Sequence, residues 1–290
     1  MPKRTLWLLV PLLGTAALAP TAAVSQEGAR PTIEVRLLGG YVRPSLSGLE
    51  EAFAQYRMAE TAGTPLGSDP TLRRSVAGSV SGGSEFDGIG GALEVGGSMA
   101  LGGATSRRVG LALQLGYERV GTQYEADFAG GMPGSREESL QLARAAVVPR
   151  YAFGMRGLTA SVGASVGLMR IQYRSKAFTE LTSQSGRTAN PSARFSGDET
   201  TWTAGLSGEV KRTLASRLAL LGRVGYEYAP EVEIAVTGSD IDAAYRNQLT
   251  RPYSPVLAFP ETDGTMGTRP VPVDVSGIRL QLGLEYQIRE

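Results

Sequence analysis

Apolar and polar side chains alternate with period two along much of this chain, most regularly in its last stretch, residues 275–288. Ile278, Leu280, Leu282, Leu284, Tyr286 and Ile288 take every second position, and Arg279, Gln281, Gly283, Glu285 and Gln287 fill those between. Successive side chains of a β-strand point to opposite faces, so this segment has one apolar and one polar face. A helix would repeat its apolar positions three and four apart. The unbroken apolar face runs about ten residues, the length a tilted strand needs to cross a bilayer.

The same reading predicts seven more strands. Strand one, 32–43, sets Ile33, Val35, Leu37 and Tyr41 against Glu34 and Arg36. Strand two, 86–101, sets Ile89, Leu93, Val95, Met99 and Leu101 against Gly90, Ala92, Glu94 and Ser98. In strand three Val109, Leu111, Leu113, Leu115 and Tyr117 alternate with residues that include Gln114 and Glu118. Strand four, 140–152, is the least regular and carries Pro149, which belongs at an edge, an end or a bulge. Strand five alternates from Leu158 to Leu168. Its phase then switches near Arg170, which predicts a β-bulge or the point where the strand leaves the membrane. Strand six sets Trp202, Ala204, Leu206 and Val210 against Thr203, Ser207, Glu209 and Lys211. Strand seven sets Leu218, Leu220, Val224, Tyr226 and Tyr228 against Arg223 and Glu227.

The connections alternate in length. Long ones (44–84, 128–138, 175–198 and 229–274) follow strands one, three, five and seven, and short ones (102–107, 153–157, 212–216) follow two, four and six. An up-and-down sheet places alternate links at opposite ends, so all long links share one end. The expectation is an all-β, eight-stranded antiparallel up-and-down transmembrane β-barrel with long extracellular loops and short periplasmic turns. In the first long link Ser47 and Glu50 have capping-box spacing, and Leu49, Ala52, Phe53 and Tyr56 recur at helical spacing. This predicts a short helix over 48–59, covering the barrel mouth.

Alternation alone does not say which face is outside, and a soluble, lipocalin-like barrel with an apolar lumen would show the same period. Three features favour the membrane. The polar face is rich in Gly, Ala, Ser and Thr with isolated charges, which suits a crowded interior better than a water-facing surface. Aromatic residues gather near strand ends, where interfacial girdles lie: Tyr41, Tyr117, Trp202, Tyr226 and Tyr228 at one end, Tyr151, Phe153 and Tyr286 at the other. The third feature is the alternation of link lengths. Eight strands enclose a space that side chains nearly fill. Glu34, Arg36, Glu94, Glu118, Arg223, Glu227, Arg279 and Glu285 are therefore expected to pair inside the barrel, making a plug rather than a wide pore.

Lys3 and Arg4, the apolar run 6–13 and a small-residue stretch ending at Ser25 have the order of a secretory signal peptide. The expected division is a signal peptide over 1–25, cleaved after Ser25, and a barrel domain over 26–290. The chain has 29 Lys and Arg against 28 Asp and Glu, a balance that gives no electrostatic case for nucleic acid. It has no Cys and no His, which removes disulfides, thiolate sites and imidazole-based catalysis. Lys176 and Lys211 lie in no catalytic motif. Asp240, Asp242 and Asp263 match no EF-hand and read as solvated loop charge. Gly88, Gly90 and Gly91 read as close-packing strand glycines rather than a phosphate loop. No catalytic residue, metal ligand or cofactor is expected.

The final strand 275–288, with the signal sequence and the eight-strand pattern, resembles the small outer-membrane β-barrel proteins, the OmpA/OmpX-like group. Where that group ends in a terminal aromatic, this chain has Ile288, followed by Arg289 and Glu290. The resemblance implies residence in the bacterial outer membrane and insertion by the barrel-assembly machinery, with outer-membrane lipids as surroundings. The expected function is non-enzymatic: a monomer with a closed or nearly closed lumen, in a structural or surface-interaction role through its extracellular loops. The alternatives are a membrane-embedded barrel enzyme acting on lipid A or peptides, and the soluble lipid-binding barrel.

Overall fold

The computed structural model describes residues 32–46, 49, 76–82, 86–101, 104–128, 132–155, 158–179, 181–182, 188–189, 192–235, 237–239, 258–260, 266–268 and 271–288. Eight antiparallel strands form a closed ring: β1 (Thr32–Pro44), β2 (Asp87–Leu101), β3 (Ala104–Phe128), β4 (Met132–Met155), β5 (Leu158–Thr179), β6 (Ser192–Ala215), β7 (Leu218–Tyr228) and β8 (Gly277–Ile288). Each pairs with its neighbours in sequence, and the ring closes where β8 lies against β1 with Ile33 opposite Ile288 and Leu37 opposite Leu284. Closure removes the free edges that an open sheet would offer to other chains.

The polarity of the wall is set by residues that repeat every second position. Leu280, Leu282 and Leu284 point outward with 50%, 70% and 46% of their surface exposed, while their neighbours Arg279, Gln281 and Glu285 are buried. A lipocalin-like interior would reverse this. On β5 the outward apolar run from Leu158 to Leu168 spans about 33 Å along the strand, or about 25 Å of height once a strand tilt of 35–45° is allowed for. That matches the hydrocarbon-facing band of an outer-membrane barrel.

Several sequence expectations need correction. β3 and β4 continue as a paired ladder to Phe128 and from Met132, so most of the expected loop 128–138 is strand. Likewise β5 and β6 remain paired as far as Phe178 and Ser192, inside the expected loop 175–198. The ladder of β5 passes Arg170 with no register shift on either side, so no bulge lies there. What changes is the chemistry of the faces: Met169, Ile171 and Tyr173 point inward and are buried, while Arg170 and Arg174 point outward. The strand has left the membrane without changing its geometry. The helix expected over 48–59 lies outside the described residues except at Leu49, which is helical and buried. The signal-sequence segment 1–25 also lies outside the described residues.

Pro149 faces outward at mid-strand. The β4–β5 ladder lacks pairings at Val148 and Pro149 and resumes in the same register at Arg150. Proline has no N–H to donate, so the ladder loses a bond there.

Candidate functional site: the barrel lumen

The barrel interior holds two layers of opposite character. The lower layer, within the apolar band, is a network of buried ion pairs. Arg36 on β1 is a hub: Nη1 lies 3.0 Å from Glu209, and Nη2 lies 2.9 Å from Glu34 and 2.7 Å from Glu285. Lys211 Nζ reaches the other oxygen of Glu285 at 2.7 Å. Arg223 on β7 spans the lumen, with Nη1 2.6 Å from Glu94 on β2 and Nη2 2.8 Å from Glu209 on β6. Arg150 on β4 also pairs with Glu94. Arg279 on β8 donates from Nε and Nη2 to the two oxygens of Glu118 on β3 at 2.7 and 2.9 Å. Its Nη1 and Arg144 both lie against Glu227.

Glu34, Glu94, Glu118, Glu209, Glu227 and Glu285 thus face Arg36, Arg144, Arg150, Lys211, Arg223 and Arg279, and this network is neutral. Apart from Arg36–Glu34, which are two positions apart on β1, each pair joins residues on different strands, because alternation puts every second side chain of all eight strands into one narrow space. Neutral partners add to it: Ser98 donates to Glu34 at 2.7 Å and Gln114 to Glu94 at 2.5 Å. A cavity of about 40 Å³ lies beside Gln114, Arg144, Ser207 and Glu227, room for a few water molecules.

The upper layer, at the long-loop end, is apolar. Val42, Val120, Leu140, Leu142, Met169, Ile171 and Tyr173 turn inward from the strands. Leu46, Leu49, Phe86, Ala229, Ile234, Val271, Val273 and Val275 fill the mouth from the connecting segments. Backbone bonds tie this cap down: Ser45 N donates to the carbonyl of Ser276 at 2.6 Å and Leu46 N to that of Asp274 at 3.1 Å. The short strands Val232–Ile234 and Val271–Val273 pair with each other. Leu46 adopts a left-handed backbone, φ 42°, where the chain turns in over the mouth. A non-glycine residue pays a steric cost there, and the complete burial of Leu46 offsets it. At this height the outer wall is polar, with exposed Arg119–Glu137 and Arg170–Asp198 pairs. Glu138 is the buried carboxylate of this layer; it accepts hydrogen bonds from Tyr173 at 2.5 Å and Ser175 at 2.8 Å.

All eight charges singled out from sequence lie in the lower network. Arg144, Arg150, Glu209 and Lys211 also belong to it and were not singled out, although Glu209 and Lys211 stand on the polar face of the strand-six pattern. The six aromatics Tyr41, Tyr117, Trp202, Tyr226, Tyr228 and Tyr286 lie on the outer wall, each between 39% and 53% exposed. Trp202 and Tyr228 pack with ring centroids 5.5 Å apart. Among the described residues no group of three His, Cys, Asp or Glu is placed to hold a metal ion.

No family model matches the chain, and no curated protein does. Solved structures that it is similar to include Neisserial surface protein A (11% identity, TM-score 0.30, covering 90% of this chain and 100% of that one). Another is the outer membrane protease OmpT from Escherichia coli (9% identity, TM-score 0.40, covering 91% and 98%). A third is CarO2 from Acinetobacter baumannii (13% identity, TM-score 0.28, covering 72% and 95%).

Proposed function

We propose that this chain, a β-barrel of the small outer-membrane type, is a non-enzymatic, non-conducting protein of the bacterial outer membrane that works through its long-loop end. The observation that carries this reading is the double seal: a neutral ion-pair network fills the transmembrane lumen, and an apolar cap closes it at the long-loop end. A solute would have to break several buried pairs, at about 3–5 kcal/mol each when one partner is lost, and then displace a packed core. What is left for contact with a partner is the polar upper wall and the segments that join the strands there. The mature protein acts as a monomer, delivered by its signal sequence and inserted by the barrel-assembly machinery.

The test has two parts. Planar-bilayer recordings of the mature chain should give no large, steady conductance; a stable open channel would overturn the closed-lumen reading. Removal of the whole link 229–274 would also remove Ile234, Val271 and Val273 from the cap, so a shorter deletion is the better probe. Replacing residues 240–257 by a Gly-Ser linker should leave heat-modifiable gel mobility intact while abolishing adhesion of expressing cells to a host or abiotic surface. Adhesion unchanged by this and by equivalent deletions in the other long links would count against the surface role. The enzymatic alternative is tested by lipid analysis of overexpressing cells, where modified lipid A would replace this proposal.

A further inference from the structure

The charges at the two ends of the barrel differ. Among the described residues every Asp and Glu either lies in the lumen or stands at the long-loop end. The three short turns carry only basic charge: residues 102–107, 153–157 and 212–216 each contain one arginine (Arg107, Arg156, Arg212), Arg217 follows the third, and none contains Asp or Glu. Arg107 and Arg212 occupy the next outward positions after Val109 and Val210, so they extend the lipid-facing columns of β3 and β6 one step past the apolar band. Arg107, Arg212 and Arg217 are exposed and, among the described residues, have no ion-pair partner. Tyr151, exposed on the outer wall, and Phe153, which stands opposite Arg107 in the ladder, mark the membrane interface at the same level. An arginine there keeps its aliphatic stem against the apolar wall and its guanidinium among headgroups.

We infer that the short-turn rim is a docking surface for the phosphates of anionic phospholipids in the periplasmic leaflet. The inference rests on the proposed orientation in the outer membrane. A planar guanidinium presents paired N–H donors that match two oxygens of a phosphodiester. Among the described residues no carboxylate stands in this arc outside the lumen, so its guanidinium groups attract an anionic headgroup surface. The opposite rim differs, since Arg119 and Arg170 there are already engaged by Glu137 and Asp198.

The test compares the refolded mature chain in vesicles of phosphatidylcholine with vesicles of phosphatidylcholine and phosphatidylglycerol in equal parts. Insertion is read first, by heat-modifiable gel mobility, and stability second, by urea unfolding. The wild type should be more stable in the anionic vesicles, by about fivefold in the folding equilibrium constant per rim arginine. The R107Q/R212Q/R217Q variant should insert equally well and lose most of that gain, whereas R170Q/R174Q should keep it. Equal gain in R107Q/R212Q/R217Q and the wild type, or equal loss in both variants, overturns the inference. So does sedimentation with purified peptidoglycan that depends on these arginines without any lipid effect, because it makes the cell wall the partner. Failure of the wild type to insert into either vesicle would instead sink the membrane-barrel reading itself.

Discussion

Arg223 bears on two carboxylates from opposite sides of the lumen, Glu94 and Glu209, so its loss leaves more than one charge to be satisfied. Arg223→Met should destabilise the barrel by about 3–5 kcal/mol, the cost of stranding a buried charge. Urea unfolding in vesicles measures it, and a loss below about 1 kcal/mol would show that the network tolerates the gap. On the outer face the argument reverses. Leu282 is 70% exposed near the middle of the apolar band of β8. Leu282→Arg should cost about 2–4 kcal/mol in a bilayer, the range for a cation on the lipid face at the midplane. The same substitution on a water-facing wall would cost almost nothing, so this single variant tells a membrane surface from a soluble one.

At the scale of the strand, the close approach of neighbours depends on a few glycines. Gly40 on β1 has no room for a side chain: a Cβ there would strike the backbone carbonyl of Leu280 and come within 2.7 Å of the Cα of Gln281 on β8. Gly40→Val should therefore loosen the β1–β8 seam that closes the ring, seen as a smaller heat-resistant fraction on gels. The strands themselves were largely readable from the sequence, because within the membrane the outside must be apolar and the narrow inside must not, and this leaves a period-two signal in β1, β2, β3, β6, β7 and β8. The signal fails where the two faces stop differing in that sense. On β4 the inward residues pass from Leu140 and Leu142 to Arg144, while the outward ones include Ala143, Ala145 and Pro149, so neither face looks consistently apolar. Arg144 and Arg150 were hidden by that blur. The same crossing on β5 mimicked a bulge at Arg170, and on β3 and β4 it made strand beyond the membrane look like loop.

For the molecule as a whole, the two seals act in series and should fail separately. Leu140→Ala with Ile171→Ala removes packing from the apolar cap, and each truncation should cost about 2–5 kcal/mol of the stability that the cap contributes. The lumen below would remain blocked by its ion pairs, so bilayer recordings on this variant should stay quiet. If conductance appears on loss of the cap alone, the lower network is not a barrier. The enclosure of the barrel, its plug and its girdles all follow from alternation and loop lengths. The inverted cap did not, because its residues come from segments far apart in sequence, such as Leu46, Phe86 and Val273, and meet only once the ring has closed.

The reversal of wall chemistry between Leu168 and Arg170 also fixes how deep the cylinder sits. Above that line the exterior is hydrated, below it oily, and one step along the strand separates the two. A thinner or thicker lipid sheet would have to deform to meet this waterline, since the protein cannot rise or sink to suit it. The barrel should therefore fold fastest in bilayers whose hydrocarbon height matches the distance from Leu158 to Leu168, and its rate of insertion should fall on either side of that match.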